Sequence, residues 1–210
     1  MKILAIADLH GSQYRLNLVL KNVEKYSPDL VVVCGDITQF GPGDTAKNFF
    51  DQIPVETFAV HGNIDIENVL KNIDGSKAKN IHLKRVKKNG IPFIGIGGGN
   101  PLQFNNRLSF TNNKIEESII DKIDESTVLV SHIPPFGLQD KVFLGVHSGS
   151  KKLRKLIDDN KPQLVLCGHI HENPGVSKTK GTIVVNCSIG KKGEGALIEI
   201  NTNIYVKMLD

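Results

Sequence analysis

The sequence predicts an α/β fold in which a second sheet packs on the first. Three observations carry this. Short β-branched runs alternate with stretches of helical period, five of the runs stop at Gly or a metal-ligand type of residue, and the last strands can only pair antiparallel. With 210 residues, 40% hydrophobic content and no linker or low-complexity tract, one domain spanning 1–210 with a sizeable core is expected.

The first strand, Ile3 to Ala7, stops at Asp8-Leu9-His10-Gly11. Gln13 to Tyr26 then carries Leu16, Val19, Leu20 and Val23 on one helical face, and Ser27-Pro28-Asp29 ends it before a second strand, Leu30 to Cys34. Right-handed crossover makes these two strands parallel. A turn at Gly41-Pro42-Gly43-Asp44 leads into a helix ending near Asp51, with Asp44 or Thr45 as its cap. The loop from Ile37 to Gly43 should lie over the ligand-bearing edge. Val55 to Val60 is the third strand, followed by a helix over about Ile66 to Asn72. Ile81 to Val86 and Ile91 to Ile96 read as strands joined by the turn Lys87-Lys88-Asn89-Gly90, where Asn-Gly suits a hairpin. Thr127 to Val130 and Leu164 to Cys167 are buried strands around a helix from Lys151 to Asp159. Thr182 to Val185 follows, and Ala196 to Ile200 with Ile204 to Met208 forms the closing antiparallel pair that suggests the second sheet.

What the strands deliver at their C-terminal ends is chemistry. In order they supply Asp8 and His10, Asp36, Asn63, His132, then His169 and His171. Open α/β sheets collect ligands at that edge. Alternation along an extended strand would aim Asp8 and His10 the same way. A lone Asp after a strand is usually a turn or helix cap; the repetition favours metal. Seven O and N donors exceed the needs of one ion, whereas two ions about 3.5–4 Å apart would use them all. A dinuclear metal centre follows.

The order Asp8-x-His10, Gly35-Asp36, Gly62-Asn63, lone His132 and Gly168-His169-x-His171 resembles the calcineurin-like metallophosphoesterases, over Asp8 to His171. The resemblance implies a four-layer α-β-β-α sandwich of two packed mixed sheets flanked by helices. It implies that Asp8, His10 and His171 hold one metal, that Asn63, His132 and His169 hold the other, and that Asp36 bridges them. It further implies hydrolysis of phosphoesters by water held between the ions.

One departure stands out. Most of the family has His after the Asn of the third block, to stabilise the transition state or protonate the leaving oxygen; here the block is Gly62-Asn63-Ile64-Asp65. Ile64 cannot donate a proton. Small bacterial and archaeal phosphodiesterases of the family look similar at this position. His147, in Gly145-Val146-His147-Ser148-Gly149-Ser150 before a helix start, is a candidate to replace the acid or to bind the phosphoryl group. The candidate catalytic residues are thus Asn63, Asp65, His132 and His147. Without the usual His, esters with good leaving groups should be preferred, unless His147 supplies the proton.

Composition limits the other readings. The net charge is +4, but the 26 basic residues are 22 Lys and 4 Arg, and guanine or phosphate reading favours Arg, so no dedicated nucleic-acid binding is expected. A repair nuclease would also be expected to carry the missing His. The basic cluster Lys84, Arg85, Lys87 and Lys88 fits a solvated hairpin tip. The odd cysteine count (Cys34, Cys167, Cys187) suggests buried reduced thiols, which thiol-binding metals could reach near the site. No run suits a membrane span or a signal-peptide core, so a cytoplasmic location is expected.

The ions expected are manganese first, with iron, zinc, nickel or cobalt acceptable to the same donors. A small phosphoester is the expected partner. The rival class is a non-catalytic scaffold of the same fold. Gly95 to Asn100 reads as a tight loop letting backbone approach the site, and Leu102 to Thr111, with Arg107, as a substrate lid.

Overall fold

The computed structural model describes residues 1–98, 119–190 and 193–210. Its strands are β1 (Lys2–Ile6), β2 (Leu30–Cys34), β3 (Thr57–Val60), β4 (Ala78–Asn80), β5 (Arg85–Lys88), β6 (Ile91–Ile96), β7 (Val128–Ser131), β8 (Leu164–Cys167), β9 (Gly175–Thr179), β10 (Thr182–Asn186), β11 (Ile189–Gly190), β12 (Gly193–Glu194), β13 (Ala196–Ile200) and β14 (Ile204–Met208). The helices with described bounds are α1 (Gln13–Tyr26), α2 (Gly43–Gln52), α3 (Glu67–Asp74) and α4 (Lys151–Asn160).

Two mixed six-stranded sheets result. One runs β14-β13-β1-β2-β3-β4, the other β5-β6-β7-β8-β10-β9. In the first, β1 to β4 are parallel and the β13–β14 pair joins β1 antiparallel. In the second, β6, β7, β8 and β10 are parallel between antiparallel edges β5 and β9.

Alternation along β1 shows how the layers form. Leu4 and Ile6 point outward and pack with Leu16 and Val19 of α1, Phe49 and Phe50 of α2 and Val69 of α3. Ile3 and Ala5 point inward, where the two sheets meet over Phe58, Phe93, Val130 and Leu166. The outer face of the second sheet buries Leu129 and Val165 against Leu153 and Ile157 of α4. This is the expected α-β-β-α sandwich.

Several local expectations are corrected. The terminal pair belongs to the first sheet, because β1 lies between β2 and β13; the second sheet is instead built from the middle of the chain. The α2 cap is Pro42, with Asp44 inside the first turn, where its charge still suits the helix dipole. In the hairpin, Lys87 and Lys88 are strand residues and only Asn89 and Gly90 turn, at φ 51° and 80°, as a primed turn requires. Residues 81–84 are not strand, and Lys84, Arg85 and Lys88 pair with Asp74, Asp124 and Glu56, consistent with a solvated tip. Gly95 and Gly97 do meet other chain closely, but at Ile81 and His61, not at the ligands. The lid reading on 102–111 and the end of the loop at 99–100 lie outside the described residues.

Candidate metal centre

The five ligand-bearing segments meet where the two sheets' strand ends converge. Beyond β1 the chain runs alongside the chain beyond β2: Asp8 N donates to Gly35 O, His10 N to Asp36 O and Gly11 N to Ile37 O, at 2.9–3.0 Å. Within the second sheet Gly168 N donates to His132 O at 2.9 Å, and the two sheets are tied together where His169 N donates to both Asp8 carboxylate oxygens, at 3.0 and 3.2 Å.

Asp8 (φ 63°), His10 (φ 50°), Asp36 (φ 49°) and His169 (φ 70°) all adopt left-handed backbone. Such conformations cost non-glycine residues roughly 1–3 kcal/mol each and persist only where the surroundings impose them. The convergence of Asp8 and His10 therefore has a different cause from the one the spacing suggested. Both lie past the end of β1 at Ile6, and two left-handed residues, not the strand pleat, turn their side chains inward.

Two compact trios result. Asp8, His10 and His171 each offer a ligand atom within 4.8 Å of the others; so do Asp36, His132 and His169. In the first, His10 Nε2 lies 3.2 Å from His171 Nε2, and His171 Nε2 lies 3.5 Å from Asp8 Oδ1. In the second, His132 Nε2 is 2.9 Å from Asn63 Oδ1 and 3.4 Å from Asp36 Oδ1, while its Nδ1 is 2.8 Å from Cys34 O. Donating Nδ1–H to a carbonyl fixes the tautomer that frees Nε2 as a ligand. Glycines clear the space. A Cβ at Gly62 would collide with the Asp36 carboxylate, and one at Gly168 would stand 2.9 Å from Asp8 Oδ2.

The electrostatics are those of a site built for positive charge. Burial alone would raise the Asp8 carboxyl, but His171 and His132 outweigh it and bring it down to about 2. Burial alone would discharge His132, but Asp36 and Asp8 hold its pKa up to about 9. His169, buried and facing that charge, is pushed down to about 4. Two buried carboxylates among imidazoles thus favour positive charge here, and a divalent ion fits that demand with these hard and borderline donors.

Asp65 proves to be a clasp. Its buried carboxylate accepts from Ile37 N, Thr38 N, Thr38 Oγ1 and Gly62 N at 2.8–3.1 Å, stapling the loop after β2 to the loop after β3. Those are the loops carrying Asp36 and Asn63. With its oxygens so engaged, it fixes the two ligand-bearing loops relative to each other. Ile64 N donates to Asp36 Oδ1 at 3.3 Å. The loop over the edge is anchored by Thr38, whose Oγ1 accepts from Gly41 N.

Sequence reasoning missed two groups. Arg15, in the first turn of α1, donates to Asp8 O; burial lowers His10, with the Arg15 charge adding to it, whereas the bond to Asp8 raises His171 against burial and Arg15. His82 packs edge-on against His61 with ring centroids 4.5 Å apart, and its Nδ1 accepts from Gly97 N at 2.9 Å. Only an Arg shortly after the first ligand pair hinted at the former. The three thiols are buried as expected, with Cys187 Sγ 3.7 Å from Cys34 Sγ below the centre.

Residues 1–173 match the family model for calcineurin-like phosphoesterases. The chain belongs to that family. It is 37% identical over 197 residues to an uncharacterised protein of Methanocaldococcus jannaschii, covering 90% of this chain and 88% of that one. A protein of Arcobacter nitrofigilis named "Probable glycerophosphodiester phosphodiesterase" is 28% identical over 78% of this chain and 64% of its own length. Among solved structures, one from Thermus thermophilus superposes with a TM-score of 0.74 at 18% identity, covering 99% of this chain and 98% of that one. An archaeal phosphodiesterase superposes at 0.51 and 15% identity, with both chains fully covered. The structural likenesses concern the fold. Among the described residues, no helix is long and apolar enough to cross a membrane.

Proposed function

We propose that the chain hydrolyses small phosphoesters at a pair of divalent ions, one held by Asp8, His10 and His171, the other by Asn63, His132 and His169, with Asp36 shared between them. The observation that carries this is the geometry of the trios, each a carboxylate and two imidazoles whose ligand atoms lie within 4.8 Å of one another. Two such ions lower the pKa of a shared water and neutralise charge developing on the phosphoryl oxygens.

The chain's own groups prepare that chemistry. The Cys34 carbonyl and Asn63 orient His132, Asp65 holds the two loops together, and the His169 amide fixes the Asp8 carboxylate. Arg15 adds fixed positive charge beside the more open trio. The name of the Arcobacter relative supports a diester substrate. We take manganese as the working ion, a small phosphoester as the partner, and the cytoplasm as the compartment.

The test is manganese-dependent hydrolysis of bis-p-nitrophenyl phosphate beside p-nitrophenyl phosphate, with His132→Ala as the blank. Faster turnover of the first would assign a diesterase. Ile64 is the observation that favours a second reading, a metal-binding scaffold. Bound ions with no turnover on either ester would select it.

A further inference from the structure

Outside the metal centre, the described residues hold one more imidazole set against a buried carboxylate. Asp140 is fully buried. Its Oδ2 accepts from Gly137 N at 3.0 Å and Gly149 N at 2.9 Å, and its Oδ1 lies 2.6 Å from His147 Nδ1. A carboxylate among donors can only accept, so Nδ1 carries the hydrogen and Nε2 is turned away. The His147 side chain is 35% exposed, so the ring is gripped at one end and open at the other. The Phe136 ring, 5.4 Å between centroids, limits its tilt.

The segment that carries this dyad leaves β7 immediately after His132. It folds back on itself: Ser148 N donates to Asp140 O, Val142 N to Val146 O, and Phe136 N to Ser150 O. Its root is bound to the segment bearing His169 and His171. The Asn186 amide donates to Ile170 O at 2.9 Å and to Gln139 O at 3.3 Å. The Asn173 amide, with its oxygen toward Asp140 and Lys141, accepts from both their N–H groups at 3.2 Å. Both ligand-bearing stretches of the second sheet thus support the dyad from below.

We propose that His147, backed by Asp140, protonates the departing oxygen of the phosphoester. The inference rests on the hydrolytic reading above and adds to it a donor where Ile64 supplies none. As water adds at phosphorus, the bond to the leaving oxygen breaks with its electron pair on that oxygen. His147 acts as the imidazolium: its Nε2 proton moves to that oxygen, releasing an alcohol or phenol and leaving the neutral Nδ1–H imidazole, and the proton lost by the water restores the imidazolium. Asp140 is a positioning residue, keeping Nδ1–H and aiming Nε2 outward.

The test compares wild type, His147→Gln, His147→Asn and Asp140→Asn, each loaded with manganese, on aryl methyl phosphates from p-nitrophenyl to phenyl. A proton donor is worth about 10²–10⁴-fold where the leaving group is poor and little where it is good. His147→Gln should therefore fall about 100-fold on the phenyl ester and by a much smaller factor on the p-nitrophenyl ester. His147→Asn separates acid from latch, because its amide can still donate to Asp140 but has no second donor at the ring's far end. It should share the steep leaving-group dependence, with wild-type metal content and melting temperature. Asp140→Asn should show a weaker version of the same slope. Rates falling equally on every ester, rescue by His147→Asn, or no change in any variant would overturn the proposal while leaving the hydrolytic reading standing. Wild-type inactivity on every ester would overturn both.

Discussion

The two metal trios use the same residue types and differ in how they are held. His132 has no exposed side-chain surface, whereas the His171 side chain is 38% exposed. His132 is fixed at both nitrogens, by Cys34 O on one side and by Asn63 and Asp36 on the other. In the outer trio, His171 Nε2 meets His10 at 3.2 Å and Asp8 at 3.5 Å. The inner trio is therefore cast before an ion arrives, and the outer one keeps rotamer freedom that an ion must freeze. Ordering long or rotatable side chains costs roughly 0.5–1.5 kcal/mol apiece. Affinity should be tighter inside, with the outer ion the exchangeable one.

His132→Ala attacks the cast trio and should have the largest effect. Activity on bis-p-nitrophenyl phosphate should drop by about 10³-fold or more and the inner ion should be lost, read by metal analysis of the purified variant. His171→Ala attacks the open trio. It should cost about 10²-fold and leave roughly one ion per chain, with activity partly recovered at high manganese. Equal loss of both ions in the two variants would break the comparison.

Asp65→Asn tests the casting without touching a ligand. It places an amide against backbone N–H donors, which should cost roughly 2–3 kcal/mol in urea unfolding. It should also raise the manganese concentration needed for the inner ion more than for the outer one.

The last effect touches no ligand and appears only as pH falls, a pH term behind the inner loops. Burial, then Lys84, pushes His82 down to about 4 from 6.5. Between those values the unfolded chain binds a proton that the folded chain refuses. The stabilisation is thus complete above about pH 6.5 and declines as pH falls toward 4, by roughly 2–3 kcal/mol at most. His82→Asn keeps an acceptor for Gly97 N and should flatten that decline in unfolding free energy between pH 6.5 and 4. An unchanged slope would remove His82 from the account.

Much of the site was legible because its ligands sit where apolar runs stop, and both features are local. The buried strands, the thiols and the gathering of ligands at one edge follow from that, whereas the grouping into two sets and the four-layer sandwich came with the family resemblance. The left-handed turns at Asp8, His10, Asp36 and His169 were not legible, since these residue types adopt that backbone only where neighbouring chain imposes it. The clasp made by Asp65 was not legible either, because most of its partners are backbone N–H groups, which carry no sequence signal. β9 was missed since Ser177, Lys178 and Thr179 form a half-exposed edge with little apolar content. The placement of β13 and β14 was misread for a related reason, because strand partners are chosen by a sheet edge formed elsewhere.

That last placement has a consequence for how the protein is made. Ile3 pairs with Leu30 on one side and with Ile198 on the other, and Asp8 is clamped by an amide 161 residues away. Contacts so distant in sequence form late and slowly. During synthesis the flank of β1 that will receive β13 stays open as an unpaired edge, and the Asp8 carboxylate has no His171 until most of the chain has emerged. Ion capture should therefore be among the last steps of maturation, and nascent chains should depend on chaperones to shield that edge until it is filled.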